Sequence, residues 1–230
     1  MNHIRQNLER VQGQIADAAA RVGRNVDEIT LIAVSKTFPT EAIRAAYDAG
    51  IRHFGENRVE EAAEKIPAIN AHGVTWHLVG HLQSRKAKDA AALFNFIHSI
   101  DSVSLAKKLN DRAATIGKRI PVLLEVNIAG EESKFGFAPR GDFFDAVREI
   151  LTCTNLETQG LMTVAPIGAT PDDARPYFRA LRELRDELRK QFSNRAWPHL
   201  SMGMTDDFST AIAEGATMIR IGRAIFGERT

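Results

Sequence analysis

Eight short runs with strand character alternate with stretches of helical periodicity along almost the whole of this chain, and that alternation limits the fold more than any other feature. The run at 29–34 is typical: it is rich in β-branched residues, too short for a helix, and reads as a strand buried on both faces. Strands are expected at 31–35, 52–55, 76–80, 96–100, 122–127, 158–162, 199–202 and 218–221. Helices are expected between them at 40–49, 58–66, 85–93, 102–116, 142–151, 173–192 and 207–214. Several end on a glycine, as helix C-termini prefer (Gly50, Gly117, Gly215), and Thr40 and Ser102 stand where N-caps belong. Ahead of this pattern, Ile4, Leu8, Val11, Ile15 and Val22 form one face of an additional N-terminal helix that ends near Gly23.

Strands alternating with helices imply a parallel sheet with right-handed crossovers. An open doubly wound sheet would bring a glycine fingerprint after its first strand, and Ser35-Lys36-Thr37-Phe38-Pro39 is not one. The expected fold class is therefore α/β, a closed (β/α)8 TIM barrel. The 230 residues suffice for one such barrel, read as a single domain over 1–230. No linker, low-complexity tract or second domain is visible.

The 30 Lys and Arg against 29 Asp and Glu give no electrostatic reason to expect nucleic acid or an anionic membrane as partner. Basic residues such as Arg182, Arg185, Arg189 and Lys190 are interleaved with acids, as on a solvated helix face. One cysteine, Cys153, excludes an intramolecular disulfide, and its neighbours supply no basic setting for a reactive thiol. No signal peptide or membrane span is visible, and a cytoplasmic location is expected.

In this fold, chemistry sits where strands run into the loops that follow them. The polar residues there are Lys36, Glu56 and Asn57, His81 and Gln83, Asp101, Asn127, Thr163 beside Met162, Ser201, and Arg220 with Gly222. Lys36 is the most informative. An amine at the barrel rim, against a low-dielectric interior, favours its neutral form and is available to attack a carbonyl. The bland alternative is a lysine that extends outward into water. Ser201 to Asp207 and Arg220 to Arg223 follow strands seven and eight, whose loops and adjacent helix N-termini form the usual phosphate cup of this fold. Amine and cup together suggest a phosphorylated aldehyde, either pyridoxal 5′-phosphate (PLP) or an aldolase-type sugar phosphate. His77 and His81 have i,i+4 spacing, but the strand pattern around Gly80 argues against a helical metal pair.

These residues also resemble a known family. Ile32-Ala33-Val34-Ser35-Lys36, Phe54-Gly55-Glu56-Asn57-Arg58, Trp76 to Gln83 and Val126-Asn127-Ile128 look like the pyridoxal phosphate homeostasis proteins. The likeness continues through Ser133-Lys134-Phe135-Gly136, Gly160-Leu161-Met162, Leu200 to Met204, Arg220-Ile221-Gly222 and Ala224 to Gly227. The resemblance implies a fold-type III PLP-binding barrel, similar to the N-terminal domain of alanine racemase. It implies an internal aldimine on Lys36, phosphate held by Ser201, Gly203 and Gly222, and Arg220 near the pyridine nitrogen. Asn57, His81 and Met162 would line the cofactor. Thr205 keeps the hydroxyl of a serine usual in the family. Arg223 stands where a small or hydroxyl residue is usual, and Ser84-Arg85-Lys86 changes the charge of the loop after Gln83.

Alanine racemases draw a second base, a tyrosine, from an added domain. Here the only tyrosines, Tyr47 and Tyr177, fall in expected helices, and no residues remain for another domain after strand eight. The expected function is accordingly a monomeric PLP-binding carrier or regulator in vitamin B6 and amino-acid homeostasis, with no catalytic residue assigned and PLP-dependent apo-enzymes as possible recipients. The alternative is a weak PLP-dependent amino-acid racemase. Lys134 is a candidate for passage of PLP in or out.

Overall fold

A computed structural model of the chain describes residues 2–131, 134–166, 168 and 170–228. The backbone follows the expected alternation. After α1 (Asn2–Arg21) come β1 (Thr30–Val34), α2 (Thr40–Asp48), β2 (His53–Glu56), α3 (Val59–Ile69), β3 (Thr75–Leu78), α4 (Ala87–Leu93), β4 (Phe96–Ile100) and α5 (Val103–Thr115). The second half holds β5 (Ile120–Glu125), α6 (Phe143–Ile150), β6 (Leu156–Met162), α7 (Pro171–Gln191), β7 (His199–Ser201), α8 (Phe208–Ala213), β8 (Met218–Ile221) and α9 (Arg223–Phe226). The eight strands pair in sequence order and close, β8 lying parallel to β1 with Arg220 opposite Ile32.

Closure divides the apolar residues into two cores. The larger lies between strands and helices. The smaller fills the barrel with Ile32, Phe96, Leu123, Met162 and Met218, against which Val164 packs. Alternate strand residues face inward, so β-branched and aromatic side chains serve both cores from one strand.

The N-terminal helix buries Ile4, Leu8, Val11 and Ile15 of the expected face against α8, α9 and α2, whereas Val22, expected on the same face, lies past its end and is exposed. Arg24 fastens its C-terminal end by donating to the carbonyls of Ile212 (3.0 Å) and Ala216 (2.8 Å). Among the described residues, no helix is long and apolar enough to cross a membrane. Tyr47 and Tyr177 lie on the helical ring, in α2 and α7. Cys153 is buried, and burial pushes its thiol pKa up.

Candidate cofactor site

At the C-terminal ends of the strands opens a cleft of about 610 Å3, lined by Lys36, Asn57, Thr205, Arg220, Gly222 and Arg223 among others. That volume suits a ligand of cofactor size. Val34, Phe38, Val79 and Val164 supply apolar wall between the polar groups.

Lys36 is half-buried, and the peptide units on both sides of it are held from α3. Lys65 Nζ donates to the Ser35 carbonyl at 2.8 Å, and Glu61 accepts from the Thr37 amide. Thr37 has φ +69°, a conformation β-branched residues rarely adopt, so the turn that follows Lys36 is held rather than relaxed. Lys65 Nζ also lies 3.2 Å from Glu56 Oε1, which receives the Ser35 hydroxyl at 2.6 Å. Glu56 is fully buried, and burial raises its pKa despite these partners. Phe38 stacks on Phe226 at 5.0 Å, joining the loop after β1 to α9.

Arg220 rises from β8 into the floor of the cleft. Its guanidinium donates to Ser201 Oγ at 2.7 Å and to the Thr163 carbonyl at 2.9 Å. Burial pulls its pKa down to about 10, with Asp207 and Glu125 opposing, so it stays charged at neutral pH. On the β5 side, burial and the Asp101 carboxylate push Glu125 up to about 7.

The β7 and β8 loops close the opposite end of the cleft. Gly203 has φ +93°, and a Cβ there would stand 2.6 Å from Ala211 Cβ, so only glycine lets the loop lie on α8. Asp207 braces the loop by accepting from the Met204 amide at 2.6 Å. Thr205 Oγ1 accepts from the Ala224 amide at 3.4 Å, tying the two loops together. The helices that begin here, α8 and α9, have six and four residues, so loop amides and side chains dominate over any helix dipole. Arg223 points to the rim, where its guanidinium meets both Asp206 oxygens at 2.5 and 2.6 Å and Glu228 at 3.4 Å.

Of the residues expected at the site, Lys36, Asn57, Thr205, Arg220 and Gly222 meet in this cleft. Ser201 and Met162 lie beneath it: the Ser201 hydroxyl is fully buried behind Arg220, and Met162 belongs to the inner core. His81 lines an adjoining cleft of about 510 Å3 that shares Asn57. It lies 3.1 Å from Asp101 and stacks on Phe135 with ring centroids 3.5 Å apart. Lys134 lines a separate cleft of about 500 Å3, where it pairs with Glu131 at 2.7 Å and donates to the Ala165 carbonyl at 3.2 Å. Ser133, beside it, lies outside the described residues. No group of three His, Cys, Asp or Glu side chains suited to a metal ion occurs among the described residues.

Two sets of supporting residues stand outside the expected site: Lys65 with Glu61, and a row of histidines on neighbouring strands. A usable signal existed for the second: His53, His77 and His98 fall within three successive strand segments.

The fold and cleft define a class, the phosphate-cofactor barrels of the alanine racemase N-terminal type, and that domain family matches residues 2–230. The pyridoxal phosphate homeostasis protein of Aquifex aeolicus is 44% identical over 226 residues, covering 97% of each chain. That of Escherichia coli K12 is 41% identical over 239 residues, covering 100% of this chain and 98% of its own. The structure of PipY from Synechococcus elongatus with PLP bound superimposes with a TM-score of 0.83 at 39% identity, covering 93% of this chain and 100% of that one. The chain belongs to the pyridoxal phosphate homeostasis protein family.

Proposed function

We propose that this chain binds PLP as a Schiff base on Lys36 Nζ and acts in vitamin B6 and amino-acid homeostasis as a carrier or regulator, not as a strong catalyst. The observation that carries the reading is that a half-buried lysine just past the end of β1 and residues of the loops after β7 and β8 line one cleft. PLP supplies an aldehyde that condenses with a primary amine and releases water. Lys36 offers that amine from a backbone fixed on both sides, while Thr205, Gly222 and Arg223 face the phosphate end. Arg220 presents donors only, so a ring nitrogen facing it accepts a hydrogen bond rather than holding a proton. An unprotonated ring is a weak electron sink, which suits storage better than turnover.

The finer parts of the proposal are a monomeric, cytoplasmic, single-domain protein that hands PLP to PLP-dependent apo-enzymes. Weak racemase activity is the second reading, supported by Glu125, a carboxyl that titrates near neutrality within the field of Arg220. Turnover of amino acids at the enzyme median of about 10 s⁻¹ would decide for it.

The test is visible absorbance before and after borohydride, beside Lys36→Ala. A yellow protein whose reduced adduct maps to Lys36, with a colourless variant, is expected. Failure of the wild type to take up added PLP would overturn the proposal.

A further inference from the structure

Three histidines stand in a row across the barrel interior. His53 Nδ1 lies 3.0 Å from His77 Nε2, and His77 Nδ1 lies 3.0 Å from His98 Nε2. His98 Nδ1 lies 2.9 Å from Ser201 Oγ, the oxygen that receives Arg220 at 2.7 Å. At its far end the row reaches a different cleft, lined by His53 with Asp27 and Thr30. His77 and His98 are 1% and 0% exposed, and burial keeps both neutral, with His77 pushed down to about 3.

Neutrality makes the row directional. A neutral imidazole has one N–H and one bare nitrogen, so each nitrogen-to-nitrogen contact needs a single proton. Fixing one tautomer fixes its neighbours. Arg220 decides the direction, because a guanidinium can only donate. Its bond occupies a lone pair of Ser201 Oγ, and the hydroxyl's other described partner is His98. The Ser201 proton therefore goes to His98 Nδ1, His98 donates from Nε2 to His77 Nδ1, and His77 donates from Nε2 to His53 Nδ1.

We infer that His98 is a positioning residue for Arg220: by accepting the Ser201 proton it turns the hydroxyl's lone pairs toward the guanidinium and fixes the donors Arg220 presents to the cleft. His77 and His53 hold His98 in the tautomer that allows this. If His98 were to bear its proton on Nδ1, Ser201 would receive two donors and its own proton would have no described acceptor. The inference deepens the cofactor reading above and rests on it only for the ligand-bound measurements.

Nitrogen-15 NMR of the histidine side chains in PLP-free protein at pH 7.5 tests the row directly. All three rings are expected neutral with the proton on Nε2, and a charged His98 or one protonated on Nδ1 overturns the inference. PLP titrations separate positioning from packing. His98→Asn retains an acceptor for Ser201 and should bind PLP within about threefold of wild type, whereas His98→Leu should lose roughly tenfold. The Arg220 Nη resonances should stay resolved in the asparagine variant and average in the leucine variant. Equal behaviour of the two variants overturns the inference. If wild type binds no PLP, the cofactor reading fails while the tautomer measurement still decides this one.

Discussion

Lys65 Nζ donates to the carbonyl oxygen of Ser35 at 2.8 Å, gripping the peptide immediately before Lys36 from a neighbouring helix. That ammonium also compensates Glu56, a carboxyl with no solvent exposure. Lys65→Met is expected to cost about 3 kcal/mol in urea unfolding, the lower end for breaking a buried pair, since burial already moves Glu56 toward its neutral form. PLP uptake followed by absorbance should weaken in the same variant, and Lys65→Arg should restore most of both.

Stability should fall as pH falls below neutrality. Unfolded histidine titrates near 6.5 and folded His77 near 3, so between these values the unfolded chain takes a proton that the folded one refuses. Each such histidine removes about 1.4 kcal/mol per pH unit in that window. His98 acts in the same sense, as do the less buried His53 and His199. Glu125 opposes them: folded, it holds a proton up to about 7 that the unfolded chain sheds near 4.5, so it adds stability as pH falls between the two. Glu56 and Asp207, both raised by burial, share that direction. The histidines outnumber the acids near pH 6, and a net loss of about 1 kcal/mol per unit is expected between pH 6.5 and 5.5. Urea melts at three pH values check it, and a flat or rising profile contradicts it.

Gly203→Ala combines a left-handed backbone with a Cβ 2.6 Å from Ala211. A loss of about 2–4 kcal/mol is expected from strain and overpacking together. Because the loop carries Thr205, PLP affinity measured by titration should fall alongside unfolding stability.

On the rim, one guanidinium nitrogen of Arg223 contacts both oxygens of Asp206 in an exposed pair. A phosphate entering the cleft competes with the Asp206 carboxylate for that guanidinium. Asp206→Asn should tighten PLP binding a few-fold and Arg223→Ala should loosen it about as much, and both differences should shrink at high salt. Titrations at 50 and 500 mM salt distinguish this from a structural effect, which salt would leave in place.

The barrel was legible because its evidence is local: each strand's composition and each helix's period stand in one stretch of sequence. The ends were less so. The fifth strand begins at Ile120 and ends at Glu125, two residues earlier than expected at each end, and just past it Val126 forms an isolated bridge with Phe137. The helix expected at 85–93 opens with a 3-10 turn over Ser84–Lys86. Lys36 and Arg220 could be found because polar residues at strand ends are conspicuous. The supports of these residues could not be found the same way. Lys65 reaches Ser35 across 30 positions, and His98 meets Ser201 across 103. Such contacts depend on strand register and helix rotation, which no single stretch encodes.

The two sides of the barrel mouth are fastened by different forces. On one, the loops after β3 and β5 meet through the face-to-face rings of His81 and Phe135. On the other, the loops after β7 and β8 meet through the ions Asp206 and Arg223. Salt loosens the ionic side and leaves the aromatic side intact, whereas a competing flat ring does the reverse. The entrance is a door with two unlike latches, so ionic strength and aromatic solutes can be used separately to ask by which side a ligand leaves.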